Sequence, residues 1–156
     1  MSRSGNEVPA RGVRLGVDVG SVRVGVARSD PHSILATPVA TLARDDSKQS
    51  DLDRLRELVQ ELNVVEVTVG LPRTLRGVVG PAAVAARSYG QLLATRIAPV
   101  PVVYVDERLT SVTANRMLAE RGIREKSRRS VVDQAAAVTI LQIRLDQVSA
   151  ALRSLG

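Results

Sequence analysis

The sequence predicts an α/β layer fold built on a mixed five-stranded sheet. Three observations carry that reading. Two runs rich in β-branched residues, Val13–Val19 and Val22–Ala27, flank Gly20-Ser21 and read as a hairpin. A third strand-like run, Ile34–Leu42, follows one short turn later. Helical and strand-like patterns then alternate, which puts the later strands in parallel through right-handed crossovers. The predicted order is β-β-β-α-β-α-β-α-α.

Residues 1–12 are polar and carry Gly and Pro without any period, so they are expected to form a disordered tail ahead of one domain over 13–156. In the first hairpin, Gly20-Ser21 is expected to supply the positive φ that a two-residue turn needs. Asp30-Pro31-His32-Ser33 reads as the next turn, with His32 solvated. Pro38 marks the third strand as an edge or bulge. Asp45-Asp46-Ser47 offers an N-cap to a helix whose Leu52, Leu55, Leu58, Val59 and Leu62 share one face. Val64–Val69 reads as a buried strand. It leads into a glycine-bearing loop, 70–80, that holds Arg73 and Arg76. Pro81 suits the first position of the next helix, with a stripe of Ala82, Ala85, Tyr89, Leu92 and Leu93. Val100–Val105 is the last strand, ending in Asp106-Glu107-Arg108. Thr110 or Ser111 then opens a helix that runs to Arg121 and is closed by Gly122. After the basic segment 121–130, Ser130 is expected to start the final helix, on which Val132, Ala136, Ile140 and Ile143 face inward.

Composition narrows the chemistry. The chain has 156 residues, no Cys, one His and a formal net charge of +6. Disulfides and thiolate metal sites are excluded, and His-rich zinc sites are disfavoured. Phe and Trp are absent and only Tyr89 and Tyr104 are aromatic, which argues against a site that stacks several bases. The positive balance favours a polyanionic partner. No run has the length of a membrane span and no charged-then-apolar leader opens the sequence, so a cytoplasmic location is expected.

The anomaly is Asp18, a carboxylate inside an apolar strand, where it needs a partner, a hydrogen bond or a metal. Asp beside Gly also commonly caps a turn. In open α/β sheets ligands gather at the carboxyl ends of parallel strands. Asp18 ends the first strand, and Asp106 and Glu107 end the last. Asp133 is predicted near the start of the final helix, where Ser130 and Asp133 also fit a capping box. Carboxylates from two strand ends and a helix start suit Mg²⁺ or Mn²⁺, which take oxygen ligands. Arg73 and Arg76, on a loop entering a helix N-terminus, suit phosphate. Arg124, Lys126, Arg128 and Arg129 suit a nucleic-acid backbone. Gly20, Arg23 and Arg108, beside the acids, complete the candidate nucleic-acid contacts.

Taken together, Gly16-Val17-Asp18-Val19-Gly20, Arg23–Ala27, Ser29-Asp30, Gly70-Leu71-Pro72 with Gly77, Asp106–Ser111 and Val132-Asp133 with Ala135-Ala136-Ile140-Leu141 resemble the YqgF family of ribonuclease H-like proteins. The resemblance runs in order from about Arg14 to Asp146. It implies a three-layer ribonuclease H-like fold with helices on both sheet faces. It also implies a metal-dependent nuclease acting in maturation of the 5′ end of pre-16S rRNA, with its acidic site at Asp18, Glu107 and Asp133. Two alternatives stay open: cleavage of four-way DNA junctions, which needs paired sites and hence a dimer, and a non-catalytic nucleic-acid-binding module. Monomer and homodimer are both compatible with the sequence.

Overall fold

A computed structural model describes residues 10–72, 80–106 and 125–155, with the backbone alone over 125–133. The elements are β1 (Arg14–Val19), β2 (Arg23–Ser29), β3 (Ala36–Ala43), α1 (Ser50–Glu61), β4 (Glu66–Leu71), α2 (Pro81–Ile97), β5 (Val102–Asp106) and α3 (Glu125–Arg153). They form one sheet in the order β3-β2-β1-β4-β5. β1, β2 and β3 are antiparallel, whereas β1, β4 and β5 are parallel. The predicted mixed five-stranded sheet is thus observed.

Strand alternation divides the residues between two layers. Leu15, Val17, Val24, Val26, Val67 and Val69 bury one face against Leu52, Leu55 and Leu58 of α1 and Ala86, Tyr89 and Leu93 of α2. Ala27 and Ala36 bury the other face against Ala137, Leu141 and Leu145 of α3. The second layer is close because the sheet residues there are small. A Cβ at Gly16 would lie 2.6 Å from Leu141 Cβ and 2.7 Å from the Ala137 carbonyl. Polar bonds fix the direction of α3. Gln142 accepts from Ala36 N–H at 3.0 Å, and Gln134 donates to Thr41 Oγ1 at 3.1 Å. α3 therefore runs opposite to β3 and to β1.

Several local expectations need correction. Gly20 does not adopt a positive φ. Its N–H donates to the Arg23 carbonyl at 2.8 Å, and a Cβ would lie 2.7 Å from that oxygen, so close approach is what requires glycine. α1 is not capped from Asp45-Asp46-Ser47, because Gln49 stands at the N-cap in the left-handed region. Asp45 instead organises the preceding turn, accepting from Lys48 N–H and Ser50 Oγ. The buried stripe of α2 is Ala83, Ala86, Tyr89, Gly90, Leu93 and Ile97, while Leu92 is exposed. An alanine-rich helix gives the periodicity little contrast. α3 begins at Glu125, five residues before the expected Ser130. Ser130 therefore lies inside the helix, and a capping box with Asp133 is ruled out. Lys126, Arg128 and Arg129 belong to this helix backbone and not to a connecting loop.

Other expectations hold. Pro38 sits on the edge strand beside a register shift opposite Val26/Ala27. Pro81 opens α2. His32 is exposed in the 30–33 turn, where Asp30 accepts from the His32, Ile34 and Leu35 amides. These bonds, Leu35's foremost, hold the Asp30 carboxyl below its ordinary value. Residues 1–9 and the helix expected between Thr110 and Arg121 lie outside the described residues. Arg11 donates to the His32 carbonyl and Gly12 to Ser33 Oγ.

Candidate active site at the carboxyl edge of the sheet

Asp18 lies in the last turn of pleat before β1 ends. It shares parity with Gly16, so the strand directs it to the α3 face. Register places it opposite Gly25 on β2, and Gly25 opposite Thr41 on β3. On the other side, β1 pairs with β4 through Val17 and Val69, and the next residue of β4 is Gly70. The carboxylate thus stands in a row with glycine on both neighbouring strands. Neither neighbour has a side chain to crowd it. Asp18 is also partly exposed, unlike Leu15, Gly16 and Val17 behind it. A carboxylate in this setting can bind a cation without the full cost of burying a charge.

The same row reaches α3. Thr41 is held by Gln134, and Asp133 is the helix residue next to Gln134. Because α3 runs opposite to β1, passing from Ala137 toward its N-terminus is passing from Gly16 toward Asp18. Thr41 and Gln134 were not singled out from the sequence. Their signal is strand register and helix direction, neither of which residue spacing carries.

At β5 the register separates the two neighbouring acids. Val69 pairs with Tyr104, and Leu71 with Asp106. Val69 and Leu71 face α1 and α2, and Tyr104 packs with them. Asp106 is exposed at the end of the strand and has the parity of that layer, opposite to Asp18. Glu107, Arg108, Arg73, Arg76 and Arg124 lie outside the described residues, as do the side chains of Lys126, Arg128, Arg129 and Asp133. Gly20 lies in the turn that follows Asp18 and Arg23 opens β2 directly after it; both are half-buried. Among the described residues no three Asp, Glu, His or Cys side chains gather as a metal site.

The opposite edge of the α3 face carries a different ionic cluster. Glu66, at the start of β4, accepts from Arg14 Nε at 3.0 Å and from Arg144 Nε at 2.8 Å and Nη2 at 2.9 Å. Burial pushes the Glu66 carboxyl up, but the bonds and charges of Arg144 and Arg14 outweigh it and hold the group below its ordinary value. This cluster pins α3 to the sheet. It lies at the other end of β1 from Asp18.

A family model described as RuvX, Holliday junction resolvase, matches residues 12–147. The chain belongs to the RuvX (YqgF) family. A relative from Mycobacterium sp. (strain KMS), named "Putative pre-16S rRNA nuclease", is 56% identical over 154 residues, covering 99% of this chain and 91% of the relative. One of the same name from Mycobacterium leprae (strain Br4923) is 59% identical over 148 residues, covering 95% and 80%. Among solved structures, Thermus thermophilus RuvC in complex with a Holliday junction substrate has a TM-score of 0.50 at 16% identity, covering 90% of this chain and 97% of that one. Thermus thermophilus RuvC on its own gives 0.51 at 15%, covering 89% and 97%. At these identities the likeness is one of fold, and it bears out the ribonuclease H-like architecture. No helix among the described residues is long and apolar enough to cross a membrane.

Proposed function

We propose that this RuvX-family chain is a metal-dependent nuclease that hydrolyses phosphodiester bonds at Asp18, with pre-16S rRNA as its substrate and maturation of the 5′ end as its task. The observation that carries the reading is Asp18 at the carboxyl edge of β1, partly exposed and flanked by Gly25 and Gly70. The curated relatives' shared name supports the choice of substrate.

The donor chemistry fits Mg²⁺ or Mn²⁺. The candidate ligands Asp18, Glu107 and Asp133 offer only oxygen, and the chain has no Cys and one His, at the exposed 30–33 turn. Parity favours Glu107 over Asp106 as the second acid, since Asp106 has the parity of the α2 layer. The direction of α3, and Gln134 on Thr41, favour Asp133 as the third. Asp18, Glu107 and Asp133 would hold the divalent ion, which would supply water activation and offset charge on the leaving oxygen. The protein's own residues orient the scissile phosphate. Gly20 lets the backbone approach, while Arg23, Arg73, Arg76, Arg108, Arg124, Lys126, Arg128 and Arg129 hold flanking phosphates and set register along the strand. The domain is the segment 13–156, with residues 1–12 as a tail, acting in the cytoplasm.

The description of the family supplies a second reading, resolution of four-way DNA junctions, which calls for a dimer with paired sites. One assay separates the readings: cleavage of a 16S rRNA precursor, a four-way DNA junction and plain duplexes, side by side, in Mg²⁺, Mn²⁺ and chelator. The expected result is metal-dependent cleavage of the precursor. Cleavage of the junction alone establishes the resolvase, and undiminished cleavage by metal-stripped protein in chelator refutes the carboxylate site.

A further inference from the structure

We propose that Arg44 is a positioning residue for the candidate active site: it locks the turn that follows Asp18 onto the helical layer behind the sheet. The inference rests on the nuclease reading above. Arg44 follows the last residue of β3. Its backbone N–H donates to the Val22 carbonyl at 2.8 Å, and its Nη1 donates to the Gly20 carbonyl at 2.9 Å. One residue therefore grips both ends of the Gly20–Val22 turn. The turn needs such a grip, because Gly20 is only half-buried and Ser21 and Val22 are exposed, so the turn buries little that would hold it.

The other side of the guanidinium is anchored deeply. Arg44 Nε lies 3.8 Å from Asp51 Oδ2, and Cζ lies 4.9 Å from the centre of the Tyr89 ring. Tyr89 Oη donates to the same Asp51 oxygen at 2.8 Å. Asp51 belongs to the first turn of α1 and Tyr89 to the middle of α2, and both are buried. Nη2 donates to Asp46 Oδ1 at 3.2 Å. With these partners Arg44 spans from a buried carboxylate and an aromatic face to a carbonyl two residues beyond Asp18. A planar guanidinium donates in several directions at once and stacks on a ring, which an ammonium does not. Nη1 and Nη2 each donate to an acceptor of the protein and Nε faces Asp51, an arrangement suited to holding the turn.

The test compares Arg44→Ala, Arg44→Lys, Asp18→Asn and, as a charge control, Arg54→Ala. Among the described residues Arg54 pairs with Glu57 and Glu61 on α1. Steady-state cleavage of a 16S rRNA precursor fragment is measured with Mg²⁺ and Mn²⁺, and amide exchange at Gly20 is followed in metal-free protein. For Arg44→Ala, kcat is expected to fall roughly tenfold to a hundredfold with KM nearly unchanged, the scale of a small misplacement near the reacting groups. Gly20 exchange is expected to accelerate while the core amides keep their protection. Arg44→Lys keeps a charge and an apolar stem, so it folds if Arg44→Ala does not. It is expected to show the same kcat loss in smaller measure.

A kcat within twofold of the parent, a KM rise that Arg54→Ala reproduces, or a kcat loss without faster Gly20 exchange would each overturn the positioning role. Failure of the underlying reading looks different. It shows as a parent that does not cleave with metal, or an Asp18→Asn variant that does, and it takes the inference down with it.

Discussion

Glu66 shows how a single residue holds the layers together. Its carboxylate is the only acid bonded to Arg14 and Arg144 among the described residues, and Arg14 is fully buried. Removing the charge leaves that guanidinium buried without its counter-ion. Glu66→Gln is therefore expected to destabilise the fold by about 3 kcal/mol, the cost of breaking a buried pair from one side, as read by urea or thermal unfolding. The same group sets part of the response to acid. Its folded pKa lies below the ordinary value of 4.5. The stability it contributes is thus complete above pH 4.5 and is lost as pH falls through the lower, folded value. The difference in stability between parent and Glu66→Gln should be constant near neutrality and shrink below pH 4.5. Asp30 and Asp45, also held below their ordinary values, remain in both proteins and cancel. A difference that stays flat from neutrality to well below pH 4.5 would show that the cluster does not lower the Glu66 pKa.

At the scale of the element, the position of α3 depends on Gly16. Leu141 Cβ and the Ala137 carbonyl occupy the space a side chain would need. Gly16→Ala must lift the helix or shift β1, at a cost of about 1–3 kcal/mol for overpacking. Because Asp133 rides on the same helix, cleavage should fall by more than the loss of folded protein explains. Unfolding curves and specific activity per folded molecule, measured on this variant, check both halves. Unchanged activity in a destabilised variant would show that the helix can move without disturbing the site. The start of α3 was hidden in the sequence for a physical reason. Periodicity finds helices by what they bury, and Glu125–Ser130 contains no apolar residue. Ser130 with Asp133 then looked like a boundary. The stripe of α1 was legible because leucines stand out among Arg, Glu and Gln. The stripe of α2 was misread at Ala82, Ala85 and Leu92, since a run of alanines offers no contrast between faces.

Across the whole molecule, the sequence order of the strands sufficed for the architecture. Three β-branched runs on short turns, followed by alternating helices and strands, leave few topologies that satisfy short right-handed connections. Asp18 was legible because a carboxylate in an apolar strand is costly without a purpose. What spacing could not convey is register. Only pairing reveals that Asp18, Gly25 and Thr41 form one row, that Asp106 has the parity of the opposite layer, and that Arg44 returns to the turn beside Asp18. The resemblance to the YqgF family named Glu107 and Asp133. Glu107 and the Asp133 side chain lie outside the described residues, so their place in the site stays part of the proposal.

The central claim is that Asp18 carries a metal-dependent hydrolysis, and Asp18→Asn tests it most directly. Asparagine keeps the size and one acceptor oxygen but removes the charge a divalent ion requires. If the proposed acids gather at Asp18, unfolding of the metal-free variant should match or exceed the parent in stability, because repulsion among them would be relieved. Cleavage of the 16S rRNA precursor in Mg²⁺ or Mn²⁺ should be abolished. A folded Asp18→Asn protein that cleaves the precursor at the parent's rate would contradict the account.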